Sequence, residues 1–198
     1  LNAAANCLAP EEETRALRFH RPLDRDTWRS GRAWVRHQLA AALDRPPASL
    51  TFVADSRGRP QIVGTPPGFD CNWSHSGPWI ALAMSRDGPV GIDVEVIRLD
   101  FPVSEVEATV CTTVERAALA AAASDTDRTR LFFRLWTAKE ALMKATGLGA
   151  ALDPAGIEVR LHDGRPCAYE SHPSWRIAGR DGDDWAAMWT WAGQPPQA

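Results

Sequence analysis

The spacing of apolar residues along the chain predicts helices that alternate with short strands. A helix is expected over residues 25–43, where tryptophan, alanine and leucine recur among charged residues and no proline interrupts. The strongest helical pattern begins at a capping residue within 125–127 and ends at Gly147. Residues 101–123 are also expected to be helical after Ser104.

Segments that alternate in polarity or are mostly apolar predict antiparallel strands. The expected strands cover residues 50–54, 79–85, 90–97, 156–161, 166–170, 175–178 and 185–191. Both halves of the chain therefore run from a helix into several strands. This order predicts an α+β fold of two similar lobes, residues 1–98 and residues 99–198, each a helix packed on a small antiparallel sheet. An approximate twofold axis would relate the lobes, with the active site in the cleft between them.

Composition and charge narrow the class of protein. The chain has 198 residues and a formal charge of −3, and its apolar stretches are much shorter than the roughly 20 residues that span a bilayer. Four widely spaced cysteines indicate neither a zinc knuckle nor a disulfide scaffold, and the amino end lacks a secretory signal. We expect a cytoplasmic protein that binds neither membranes nor nucleic acid. Because the chain starts at Leu1 rather than Met, we expect trimmed numbering or a domain of a longer protein.

Two carboxylates share one face of the strand expected over residues 90–97. The period of two places Asp93 and Glu95 together, with Ile92 and its apolar neighbours on the opposite face. Neighbouring anions repel each other, whereas a hard divalent cation can be shared between their oxygens. A solvated strand face is the alternative interpretation.

Both lysines of the chain lie on the strongest predicted helix, although arginine supplies every other side-chain cation. Glu140 and Lys144 stand four residues apart, in the favourable order for an ion pair, and Lys139 precedes them. A compact ammonium suits proton delivery to a leaving phosphate better than a guanidinium does. An ion pair on the helix surface is the structural alternative.

Three features offer ligands for phosphate. Residues 72–77 read NWSHSG and supply hydroxyls, an imidazole and a glycine, and Arg59 lies in a Gly-Arg-Pro turn. The helix predicted over residues 25–43 has an arginine face that consists of Arg25, Arg29, Arg32 and Arg36. A structural turn or a solvated basic patch would explain each feature equally well.

The order of four motifs resembles the 4′-phosphopantetheinyl transferase family, and within it the larger, two-lobed group that activates surfactin synthetase. The motifs are GRP at 58–60, NWSHS at 72–76, GIDVE at 91–95 and WTAKEALMK at 136–144. The resemblance covers about residues 11–191. It implies transfer of the 4′-phosphopantetheine arm of coenzyme A to a serine of an apo acyl or peptidyl carrier protein, with release of 3′,5′-ADP. The short amino end would also fit a domain excised from a polyketide or fatty-acid synthase.

The resemblance also implies roles for individual residues. Asp93, Glu95 and Glu140 would hold Mg²⁺, for which Mn²⁺ could substitute. The catalytic residues would be Glu140, as the base for the serine hydroxyl either directly or through a metal-bound water, together with Lys144 and His75. The residues that bind coenzyme A phosphates would be Arg15, Arg18, Arg59, Ser74, His75 and Lys144.

One segment departs from the family pattern. Residues 110–115 read VCTTVE where relatives carry an aromatic pair before a glutamate, so the role of Glu115 and the choice of carrier stay open. A non-catalytic module that binds coenzyme A or a carrier protein is the alternative to an enzyme, and the retained carboxylates and Lys144 argue against it. Net acidity argues against a nucleic-acid binder built on the arginine face.

Overall fold

The computed structural model describes residues 7–193, which form two compact units. The first unit comprises residues 7–55 together with Pro60–Pro66. The second comprises Ser56–Arg59 and residues 67–193. The units are described separately below.

The described residues of the first unit contain two α-helices and a two-stranded antiparallel sheet. Its elements are α1 (Pro10–Ala16), α2 (Pro22–Leu43), β1 (Phe52–Ala54) and β2 (Pro60–Ile62). Both helices begin with proline, which is tolerated there because the first N–H groups of a helix have no intrahelical partner. α2 begins earlier than expected but ends where predicted, because Asp44 adopts a left-handed conformation with a φ of 51°.

The second unit, as far as residue 193, contains three α-helices and three small sheets, and all strand pairs in it are antiparallel. Its elements are β3 (Asp70–Ser76), β4 (Trp79–Ser85), β5 (Val90–Val96), α3 (Val103–Val110), α4 (Thr113–Ala120), α5 (Asp125–Thr146), β6 (Val159–His162), β7 (Arg165–Tyr169), β8 (Trp175–Asp181) and β9 (Trp185–Ala192). The sheets are β3–β4, β5–β9–β8 and β6–β7. The predicted combination of helices with small antiparallel sheets is confirmed.

The three-stranded sheet of the second unit joins strands from both halves of the chain. β5 pairs along its length with β9, from Val90 opposite Trp191 to Val96 opposite Trp185. Strands on both sides of residue 98 therefore belong to one unit. The lobe boundary between residues 98 and 99 stays a prediction.

Besides α1 and β2, which the sequence pattern does not predict, several elements differ from the sequence expectation. The segment expected to form one helix is divided into α3 and α4, because Thr112 caps α4 and accepts a hydrogen bond from the Glu115 N–H. Ser124 rather than a residue within 125–127 caps α5, while Gly147 ends it as predicted. Residues 70–76 form strand β3 instead of a turn that precedes a strand.

Helix α5 forms the centre of the second unit. Its buried face includes Leu135, Ala138 and Leu142, which belong to the main apolar cluster with residues of α3, α4 and the neighbouring strands. Gly91 lets β5 lie directly against α5, because a Cβ atom at this position would lie 2.6 Å from the Ala145 nitrogen. Among residues 7–193, no helix combines the length and hydrophobicity that crossing a bilayer requires.

Candidate active site

The close approach of β5 to α5 brings Asp93 and Lys144 together. Lys144 Nζ lies 2.6 Å from Asp93 Oδ1 and 3.0 Å from Ser74 Oγ, and Ser74 Oγ donates to Asp93 Oδ1 at 2.7 Å. Asp93 is only 3% exposed. The carboxylate therefore does not lie on a solvated strand face, and burial strengthens its attraction to the ammonium group.

Glu140 and Lys144 do not form the ion pair that their spacing suggests. Within the described part of the chain, Glu140 has no hydrogen-bond or ion-pair partner, whereas Lys144 binds Asp93. Burial raises the pKa of the Glu140 carboxyl above its ordinary range. The Asp93 carboxylate raises this pKa further, the Lys144 ammonium opposes the rise, and Glu95 contributes to it. A half-buried carboxyl of raised basicity thus faces two other carboxylates.

The carboxylates retain oxygen atoms that could bind a cation. Asp93 Oδ2 is buried and has no hydrogen-bond partner among the described residues, which is costly for an anionic oxygen. The Asp93 and Glu95 carboxylates concentrate negative charge near Glu140. Together with the unpartnered Asp93 oxygen, this charge fits a site for a hard cation. Across residues 7–193, however, no group of three or more His, Cys, Asp or Glu side chains is arranged to hold a metal ion as it stands.

Ser76 is a site residue to which the sequence analysis assigns no role of its own. Its Oγ donates to Glu95 Oε2 at 2.6 Å and accepts from the Val96 N–H at 3.1 Å. The signal in the sequence is the alternation of Asp70, Asn72, Ser74 and Ser76, which places four polar side chains on one face of β3.

Arg59 is held by structural contacts. Its Nη2 donates to Asp70 Oδ2 at 2.5 Å and to the Val90 carbonyl at 2.8 Å, and its Nη1 donates to the Lys144 carbonyl. The guanidinium group therefore ties β3, β5 and the end of α5 together. Its expected contact with a coenzyme A phosphate stays a prediction.

His75 lies apart from the Asp93 and Lys144 pair. It is exposed, and the alternation of β3 places it on the face opposite Ser74. None of the hydrogen bonds or ion pairs found within the described chain involves His75. The structure thus brings Ser74 to the carboxylates but not His75.

Lys139 and Glu115 form a buried pair away from these carboxylates. Lys139 Nζ donates to Glu115 Oε2 at 2.5 Å and to the carbonyls of Val110 and Pro154, and both charged side chains are at most 1% exposed. Glu115 also accepts from the Thr112 N–H and the Val159 N–H. This pair links α4, α5 and β6. Glu115, whose role the sequence left open, therefore makes structural contacts.

The remaining predicted phosphate ligands lie in the first unit. Arg15 is exposed on α1, 5.6 Å from the Trp28 ring centroid, and Arg18 is exposed just after this helix. Part of the arginine face of α2 binds acidic residues of α1. Arg29 pairs with Glu13, and both Arg32 and Arg36 pair with Glu12. These three arginines are therefore paired with carboxylates and do not form a solvated basic patch.

Comparison with known proteins shows the family. A family model described as the 4′-phosphopantetheinyl transferase superfamily matches residues 89–189, and a second, for the N-terminal part of such a transferase, matches residues 1–87. The chain is 32% identical to the 4′-phosphopantetheinyl transferase HetI of a Nostoc species, over 93% of this chain and 78% of the relative. It is 29% identical to the transferase Sfp of Bacillus subtilis, over 86% of this chain and 80% of the relative.

The chain therefore belongs to the 4′-phosphopantetheinyl transferase superfamily, and the predicted family is confirmed. It is a phosphopantetheinyl transferase. The first family match contains Asp93, Glu95, Glu140 and Lys144. The roles of individual residues stay predictions and are argued below.

Proposed function

We propose that this transferase moves the 4′-phosphopantetheine arm of coenzyme A onto a serine hydroxyl of an apo carrier protein and releases 3′,5′-ADP. The observation that carries the proposal is the contact of Lys144 with buried Asp93 beside Glu140, within the region that matches the family. An ammonium group suits a reaction on a polyanionic phosphate ester, and three carboxylates suit it by holding a divalent cation.

We further propose that Asp93, Glu95 and Glu140 hold Mg²⁺ during the reaction. The unpartnered Asp93 Oδ2 and the raised pKa of Glu140 support this, because a divalent cation would relieve the repulsion between the carboxylates. When bound, Mg²⁺ would neutralise charge on the pyrophosphate and polarise its oxygens. Mn²⁺ accepts the same oxygen ligands.

The residues of the chain can perform the proton transfers. A carboxylate has two oxygens, so Glu140 can hold a cation with one of them and accept the proton of the serine hydroxyl, directly or through a water molecule, with the other. The serine oxygen then forms a bond to the β-phosphorus of coenzyme A, and the bridging P–O bond breaks. Lys144, held at Asp93, donates a hydrogen bond to the departing phosphate of 3′,5′-ADP. Arg15 and Arg18 would bind further phosphates of coenzyme A.

The direct test is transfer in vitro. The protein is incubated with coenzyme A, Mg²⁺ and a panel of apo acyl and peptidyl carrier proteins, and intact-mass spectrometry is used to detect the added arm. We expect a carrier that gains phosphopantetheine, loss of the reaction on chelation by EDTA and recovery with Mg²⁺. If no carrier in the panel gains the arm, the assignment of enzymatic activity is contradicted. That result would favour the alternative, a module that only binds coenzyme A or a carrier.

Glu140→Gln tests whether Glu140 takes part in the reaction, since the variant loses both the base and an anionic ligand for the cation. We expect a loss of about 100-fold or more in kcat, which is typical when a general base is removed. Glu170→Gln is the matched control, since Glu170 forms an exposed pair with Arg160. Near-native activity of Glu140→Gln would remove this residue from the mechanism.

Some finer features of the proposal rest on the sequence alone. They are the approximate twofold between two lobes, a cytoplasmic location, a role in polyketide or fatty-acid synthesis and the contribution of His75. A panel that includes carriers of both pathways addresses the choice of partner.

A further inference from the structure

Along one of its edges, β5 forms no backbone pairing with another strand of residues 7–193. It lies at the edge of the β5–β9–β8 sheet. The Ile97 N–H, just after β5, points to the Asp184 carbonyl next to β9. Because alternate N–H groups of a strand point to opposite sides, those of Val90, Ile92 and Val96 point away from β9.

Side chains of β3 fill this edge. The Val90 N–H donates to Asp70 Oδ2 at 2.8 Å, the Ile92 N–H to Asn72 Oδ1 at 2.9 Å and the Val96 N–H to Ser76 Oγ at 3.1 Å. We call Asp70, Asn72, Ser74 and Ser76 the β3 polar ladder. The ladder replaces backbone pairing with side-chain acceptors and thereby fixes β5 relative to β3.

Two members of the β3 polar ladder also reach the carboxylates. A serine hydroxyl has a single proton to donate. Ser76 accepts from the Val96 N–H, so its proton is directed at Glu95 Oε2, 2.6 Å away. This contact holds one oxygen of Glu95 and leaves Oε1 without a protein partner in the described part of the chain.

We infer that Ser76 is a positioning residue that orients the Glu95 carboxylate for the divalent cation. The inference rests on the proposed function. Carboxylates that bind metals are themselves held by hydrogen bonds, and the loss of such a partner typically costs 10- to 100-fold in metal affinity or activity. Ser76 is suited to this role because the backbone of β5, to which Glu95 belongs, fixes its hydroxyl.

The test compares Ser76→Ala with Asn72→Ala. Both remove a side-chain acceptor for a β5 N–H, but only Ser76 contacts a carboxylate. Binding of Mn²⁺ is measured in the presence of coenzyme A from the electron paramagnetic resonance of the free ion, and folding is monitored by thermal melting. We expect about tenfold weaker Mn²⁺ binding for Ser76→Ala and binding within twofold of native for Asn72→Ala. Ser76→Thr, which keeps the hydroxyl, should restore most of the affinity.

The Mn²⁺ affinities of the variants decide the inference. Native affinity in Ser76→Ala, or equal weakening in Asn72→Ala and Ser76→Ala, would overturn it, because Ser76 would then act only on the strand edge. If Ser76→Ala does not fold, Ser76→Cys keeps a side chain of similar shape with a weak donor, and the same loss is expected. If the native protein transfers phosphopantetheine and binds Mn²⁺, a failed Ser76 test leaves the proposed function intact. A native protein that does neither contradicts the proposed function itself.

Discussion

Lys139 and Glu115 show how a charged residue next to the catalytic motif can have a structural role. Lys139 directly precedes Glu140, yet its ammonium is fully buried and donates to Glu115 and to two backbone carbonyls. All three protons of the ammonium have acceptors, and Glu115 accepts from two backbone N–H groups besides Lys139. A buried pair that is fully hydrogen-bonded tolerates loss of one partner poorly, because the other charge stays buried.

We therefore expect Lys139→Met to lower the free energy of unfolding by about 3–5 kcal/mol. The double variant Lys139→Met with Glu115→Gln should be less destabilised, since no buried charge is left without a counterion. Urea denaturation followed by circular dichroism measures both. Arg160→Met is the control, because its exposed pair with Glu170 should contribute no more than about 1 kcal/mol. A loss for Lys139→Met as small as the loss for Arg160→Met would contradict this account.

At the scale of elements, the site depends on how closely β5 lies against α5. A Cβ atom at Gly91 would lie 2.6 Å from the Ala145 nitrogen and 2.9 Å from its Cβ, and it would overlap the Ala141 carbonyl. The backbone of α5 cannot yield as a flexible side chain can. Gly91 thus sets the separation between the strand that carries Asp93 and the helix that carries Lys144.

Gly91→Ala should therefore affect both stability and activity. We expect a loss of about 1–3 kcal/mol in the free energy of unfolding, as for other overpacked interiors, together with a lower kcat because Asp93 and Lys144 move apart. Gly156→Ala is a matched control, since a Cβ atom there meets nothing within 4 Å and its φ is not positive. Chemical denaturation and the transfer assay measure the two effects. A Gly91→Ala enzyme that behaves like Gly156→Ala would show that the close approach has no consequence.

The same scale shows which elements can be predicted from the sequence. β4 and α5 follow from local apolar patterns and from Gly147, so their prediction needs no tertiary contact. α1 is too short for an apolar stripe, and its glutamates pair with arginines that are 16 to 24 residues away in the chain. β3 has the polar composition of a turn, so the sequence alone does not predict a strand there. Its polar side chains bond to β5, which lies twenty residues further along the chain.

The candidate site likewise has features that the sequence predicts and features that depend on contacts between distant elements. Period-two alternation is sufficient to place Asp93 and Glu95 on one face of β5. The order of the motifs predicts Glu140 and Lys144 as site residues. Spacing along α5 favours a Glu140 to Lys144 pair, but Lys144 binds Asp93, because β5 lies directly against α5. Contacts between distant elements, such as Ser76 with Glu95, have no local signal except the alternation in β3.

At the scale of the whole molecule, each unit contains a carboxylate held by two arginines. In the first unit Glu12 binds Arg32 and Arg36, and in the second Asp181 binds Arg134 and Arg165. Burial alone would raise the pKa of Glu12, but the Ala9 N–H and the two guanidinium groups outweigh it and hold this pKa below its ordinary range. Burial is likewise outweighed at Asp181, where Arg134 and then Arg165 lower the pKa. Both carboxylates therefore stabilise the folded state in their ionised form.

Acid should remove this stabilisation in both units. A carboxyl whose pKa is lowered on folding contributes its full stability above its ordinary pKa, about 4, and loses it as the pH falls through the folded value. We expect Glu12→Gln and Asp181→Asn to be less stable than the native protein at pH 7, with a difference that shrinks toward pH 3. Urea midpoints between pH 7 and pH 3 measure this, with Asp163→Asn as the control because Asp163 is 89% exposed. A difference between native and variant that stays constant with pH would show that the arginines hold these side chains by hydrogen bonding without any shift in their ionisation.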